Sequence, residues 1–139
     1  MTFFFDSNVL VYLCDSAVPK KREVAENLIE RHLRDRDILL STQVLQEFYV
    51  TVTRKLKPPV TPVDAANMVS AFADFPTVQI DNMLIQAAIR RSQASQLSFW
   101  DGLIIQAALA GGASTLYSED LQDGQEFDGL KVKNPFKPG

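Results

Sequence analysis

Apolar and polar positions along this chain alternate between short apolar blocks and longer stretches with a helical period. The first block, Phe3-Phe-Phe5, suits a strand buried on both faces, as in a parallel sheet covered by helices. It ends on Asp6, with Asn8 placed to cap a helix starting at Val9. Pro19 opens a second helix to about residue 34, with Val24, Leu28, Ile29 and Leu33 as its apolar stripe. Residues 37–40 read as a second strand. Ser41 or Thr42 caps a helix to about Leu56, stopped by Pro58-Pro59. Thr61-Pro-Val-Asp64 is a capping-box start for a helix carrying Ala65, Met68, Val69 and Phe72, which ends before Pro76. A third strand is expected over residues 77–80, and Asp81 caps the helix through Leu84, Ala87, Ala88 and Ile89. Ser98 caps another over 99–110, terminated by Gly111-Gly112. Residues 114–117 form a fourth strand and 130–132 a weak fifth at the edge, before a loop containing Pro135 and Pro138. The alternation implies a small α/β sandwich with a mostly parallel sheet.

Composition narrows the class. At 139 residues, 46% hydrophobic and 22% charged, the chain is expected to form one globular domain over 1–139. A single cysteine, Cys14, excludes an internal disulfide and fits a reducing compartment. The first apolar run is broken at Asp6 without a basic leader, so a secretory signal is not expected. No apolar stretch approaches the ~18 residues of a membrane span. A cytoplasmic protein is the expectation. The net charge of −3 is unevenly spread, with nine Lys/Arg against six Asp/Glu over 20–57 and two against nine over 58–128. From Gly129 a short tail to residue 139 adds three lysines and no acid. Such a chain could hold a cation at its acidic centre and phosphates elsewhere, although charge runs are commonly just solvated faces.

The acids on apolar faces carry the candidate chemistry. Asp101 shares a helix face with Leu97, Ile104, Ile105 and Ala108. Ionised groups are rarely buried without a partner or metal, yet a carboxylate three residues after a cap also suits a helix start. Glu47 shares a face with Val44, Phe48 and Thr51, or else marks the solvated border of that stripe. Asp120 follows a predicted strand end as Asp6 does, with Glu119 and Asp123 competing in the same acidic turn. Carboxylates converging at one end of a sheet repel, and a divalent cation relieves the conflict; oxygen ligands suit Mg²⁺ or Mn²⁺. One Cys and one His argue against zinc. His32, on a charged helix face, is expected to be solvent-exposed, which leaves no base for Ser–His–Asp or Cys–His machinery.

Phe5-Asp-Ser-Asn-Val-Leu10, Ser41-Thr-Gln-Val-Leu-Gln-Glu47, Leu97-Ser-Phe-Trp-Asp101 and Leu116-Tyr-Ser-Glu-Asp120 resemble, in order and spacing, the four acidic motifs of PIN domains, most closely those of VapC-type toxins. The resemblance implies a metal-dependent endoribonuclease on an α/β/α sandwich with a small, mostly parallel central sheet, often a homodimer, held inactive by a cognate antitoxin. It assigns Asp6, Glu47 and Asp101 to the three core acids and Asp120 to the more variable fourth, with Glu119 an open competitor. Asn8 and Ser118 match polar positions that support the carboxylates, Glu119 is expected to join them where Asp120 is the fourth acid, and Ser7 stands where many relatives have threonine. Lysines and arginines at 20–22, 31–36 and 54–57 are candidates for phosphate contacts; no RNA-binding residue is singled out. Two other classes compete. A PIN fold could bind RNA or a partner without cutting. An aspartyl-phosphate receiver or phosphatase would want a second acid near Asp6, where Asn8 stands; Asp81 would be a receiver's phosphoacceptor.

Overall fold

The computed structural model describes residues 1–137, so Pro138, expected in the terminal loop, lies outside the described residues. The elements run β1 (Phe3–Phe5), α1 (Ser7–Val11), a single 3-10 turn (Tyr12–Cys14), α2 (Pro19–Asp35), β2 (Ile38–Ser41), α3 (Thr42–Arg54) and α4 (Pro62–Phe72). They continue with β3 (Thr77–Val78), α5 (Asn82–Ser95), α6 (Phe99–Ala110), β4 (Thr115–Tyr117), β5 (Glu126–Phe127) and β6 (Leu130–Lys133). The sheet order is β3-β2-β1-β4-β6-β5, parallel throughout except for the β5–β6 pair. Helices cover it as an α/β/α sandwich, the architecture the resemblance implies.

Burial explains why these blocks became strands. Adjacent residues of a strand point to opposite faces, and Phe4 and Phe5 are both fully buried, as are Leu39 and Leu40 in β2. The predicted caps form. Ser41 Oγ accepts from Val44 N at 3.3 Å, Thr61 Oγ1 from Asp64 N at 3.2 Å and Asp81 Oδ1 from Leu84 N at 2.9 Å.

Four expectations are corrected. Asn8 caps nothing: α1 starts at Ser7, with Asp6 as its N-cap, and Asn8 lies inside the helix. The inward face of α2 is Ala25, Leu28 and His32, whereas Val24 and Leu33 are exposed. His32 is therefore only 3% exposed. Its Nδ1 lies 2.7 Å from Asp37 Oδ1 and its Nε2 3.0 Å from the Tyr117 hydroxyl, while its ring centroid sits 4.4 Å from that of Phe3. Partners on both ring nitrogens permit a polar group on a face that, by its charged neighbours, looks solvated. Finally, residues 130–133, which the charge pattern assigns to a basic tail and the apolar pattern to the sheet margin, form an interior strand. Lys131 and Lys133 point out while Leu130 and Val132 are buried, and β5 lies outside them.

Helices α5 and α6 pack closely at Gly102, where an added Cβ would meet the Ala88 carbonyl oxygen at 2.9 Å. Backbone cannot yield as a flexible side chain can, so Gly102→Ala is expected to destabilise the fold by ~1–3 kcal/mol. Urea unfolding of the variant measures this; an unchanged midpoint would show that the helices can separate freely.

Candidate active site

The parallel register between β1 and β4 sets the floor of the site. Phe5 is opposite Tyr117, so the next residues, Asp6 and Ser118, leave the sheet at the same level. Asp6 N donates to Tyr117 O at 2.9 Å, which locks the exit. The Asp6 carboxylate is 4% exposed and both oxygens are occupied. Oδ1 accepts from Ser7 N and Oδ2 from Ser118 Oγ, each at 2.7 Å.

Burial chiefly, with added repulsion from Glu47 and Asp120, pushes this carboxyl from an ordinary 3.8 up to about 7, against the lowering effect of the Ser118 and Ser7 hydrogen bonds. Asp101 is also raised, first by burial and then by Asp120, opposed by Ser98.

Each remaining acid is placed by its own element. Strand β2, beside β1, ends in the Ser41 cap, so α3 starts next to Asp6 and carries Glu47 in its second turn. Glu47 Oε1 accepts from Ser7 Oγ at 3.1 Å, and Oε2 from Gln43 Nε2 at 3.2 Å, the side chain one turn back. Asp101 sits in the first turn of α6, its N–H donating to the Ser98 cap at 3.1 Å. It is both a helix-start acid and a cleft residue, so the two readings of it are compatible. Asp120 is held from the other side by Asn8 Nδ2 at 3.2 Å. Asn8 also reaches Ser118 Oγ at 3.4 Å and accepts from Glu119 N at 3.1 Å.

All four acids, Asp6, Glu47, Asp101 and Asp120, line one cleft of about 670 Å³. Glu119 does not; its carboxylate is taken by Lys21 and, at 2.6 Å, by the Tyr12 hydroxyl. The geometry thus separates two neighbours that sequence alone leaves in competition. Asp123 accepts from Asn134 N at 2.8 Å and serves a turn. Of the three basic stretches offered as phosphate contacts, the cleft lining takes in only Lys55.

Ser7, which the sequence marks only as a departure within the first motif, links Asp6 to Glu47, and Gln43 is a part of the site that the sequence does not single out. Gln43 is 3% exposed, and its amide also donates to Trp100 O at 3.2 Å, tying α3 to the start of α6. The available signal was the Gln43–Glu47 spacing on one helix face. Gln43 Oε1 is the buried side-chain polar atom left without a partner among the described residues.

An α/β/α sandwich with carboxylates gathered at the carboxyl ends of its parallel strands defines the class. The chain belongs to the PIN domain family, whose profile matches residues 3–124. Solved structures share the fold at low identity. Mycobacterium tuberculosis VapC20, a sarcin–ricin loop cleaving toxin, is 16% identical, with a TM-score of 0.63 over 86% of this chain and 90% of that one. Rickettsia felis VapBC2, bound to a DNA fragment from its promoter, is 18% identical with a TM-score of 0.67, covering 96% and 98%. A toxin–antitoxin complex from Klebsiella pneumoniae is 17% identical with a TM-score of 0.70, covering 99% and 100%. No curated protein matches the chain.

Folded chain holds the Asp6 proton more tightly than unfolded chain. Its contribution to stability is therefore full below 3.8 and is lost as pH rises through about 7. In metal-free protein, Asp6→Asn is expected to melt above wild type at about pH 8, with the gap shrinking towards about pH 5. Thermal melts in EDTA measure the gap; a pH-independent gap would mean that Asp6 ionises normally.

Proposed function

We propose that the protein, acting as a single domain, is a metal-dependent endoribonuclease and the toxin of a toxin–antitoxin pair. One observation carries the reading: four carboxylates share a cleft, and none of them has an ion-pair partner among the described residues. Uncompensated like charge at partly buried positions lowers stability, which is reasonable where something cationic binds. The donor set is all oxygen and fits Mg²⁺ or Mn²⁺. Asp6, Asp101, Asp120 and Glu47 would hold the ion. When bound, it lowers the pKa of a water and offsets charge on the transferring phosphoryl group.

The chain's own part is positioning. Ser118 and the Ser7 amide aim the Asp6 carboxylate, Ser7 Oγ and Gln43 aim Glu47, and Asn8 aims Asp120. Lys55, on the cleft lining, supports a contact there to an RNA phosphate. The RNA-cutting class follows the family and the activity named for VapC20. The antitoxin partner follows the VapBC2 and Klebsiella complexes. The homodimer follows the family resemblance, with Val63 and Met83, exposed near the starts of α4 and α5, as candidate contacts. No described helix is long and apolar enough to cross a membrane; a cytoplasmic site of action belongs to the proposed toxin role.

A second reading is a PIN fold that binds an ion and a partner without cutting. As the side chains stand, no three of the acids surround one point among the described residues, so in either reading an ion would have to draw them together. Cleavage of total RNA decides between them. Wild type is expected to cut with Mg²⁺ and stop with EDTA, and Asp101→Asn to lose more than about 100-fold, as on removing an electrostatic stabiliser. Ser118→Ala is expected to lose about 10–100-fold through misaimed Asp6. Metal-independent cleavage, or full activity in folded Asp101→Asn, would refute the nuclease; ion binding without cleavage would establish the second reading.

A further inference from the structure

Trp100 is the residue of the cleft that its chemistry of acids leaves unexplained. It is the chain's one tryptophan and precedes Asp101 directly. Although Trp is among the residues that gain most from burial, its side chain is 61% exposed while lining the acidic cleft. Its one aromatic neighbour is Phe99, with ring centroids 5.1 Å apart and planes at 76°. That edge-to-face contact covers at most one face of the indole. The backbone beneath is fixed, because buried Gln43 donates to Trp100 O and to Glu47 with the same amide. A flat π surface is thus held on a rigid helix start beside the acids, with Lys55 in the same cleft.

We propose that Trp100 is a stacking platform for an unpaired nucleobase next to the scissile phosphate. This rests on the ribonuclease reading and adds to it the residue that holds one base of the strand. Bases paired in a duplex are stacked on each other and cannot offer a face, whereas an unpaired base can lie on an indole. The platform tolerates any base, since every base has a π face, while Lys55 supplies a charge for the backbone. Selectivity at this position is for strandedness rather than for base identity.

Because Trp100 is the sole tryptophan, its emission reports on the site directly. Mg²⁺-loaded protein is mixed in stopped flow with a single-stranded oligoribonucleotide and, separately, with its duplex. Steady-state cleavage is measured for wild type, Trp100→Ala and Trp100→Phe, on intact RNA and on RNA with one abasic position flanking the cut. The expected result is emission quenched by the single strand and not by the duplex. Trp100→Ala should raise KM about tenfold, as for loss of one base–aromatic stack, with Trp100→Phe restoring most of it. The Trp100→Ala penalty should vanish on the abasic RNA, an outcome that a merely structural role would not give. Wild-type cleavage with unmoved emission, or an unchanged KM in folded Trp100→Ala, overturns the platform and leaves the nuclease standing. Emission that responds only to a bound protein partner also overturns it. If no RNA is cut, quenching by single-stranded RNA still supports the platform, and its absence refutes it.

Discussion

The Ser118 hydroxyl held against Asp6 Oδ2 is the contact on which the site depends. It joins the ends of two neighbouring parallel strands, and it forms only because β1 and β4 pair with Phe5 opposite Tyr117. A slip of one residue would put every side chain of β1 on the other face of the sheet. Phe4 and Phe5 are both buried, so the core does not distinguish strongly between those faces; the distinction comes from the polar residues at the strand ends. Asp6 must cap α1, and Ser118 must stand beside it. Polar groups at the end of the sheet thus specify an arrangement that the aromatic run alone would leave loosely set.

The same group of acids works against the stability of the fold. Asp6 has hydrogen bonds but no basic side chain paired with it among the described residues, and burial is the first reason its proton is held so tightly. Two part-buried acids outside the cleft have basic partners: Glu119 has Lys21 and Asp37 has His32. Asp6, Glu47 and Asp101, buried or part-buried within the cleft, have no ion-pair partner among the described residues, and it is there that a local rule is broken.

Much of this was legible along the chain. Helix caps at Ser41, Thr61, Asp81 and Ser98 are local chemistry, written within four residues, and they placed four helices well. The acids stood out because apolar neighbours made them anomalous. What escaped was set by contacts distant in sequence. His32 is buried because Asp37 and Tyr117 satisfy it, and Tyr117 is 85 positions away. Asp120 and Glu119 are adjacent and chemically alike; only the partners Asn8, Tyr12 and Lys21 tell them apart. Strand β5 has two residues and no periodicity to detect.

The two-residue strands at either end of the sheet have a consequence of their own. A long unpaired strand invites another chain to extend the sheet by main-chain hydrogen bonding. Here β3 and β5 are both too short to template such an addition, and Pro76 immediately precedes β3. Another polypeptide, including a second copy of this chain, therefore has to engage helix surfaces and side chains rather than borrow an open backbone. That restriction makes assembly selective and keeps a parallel-sheet protein from polymerising through its margins.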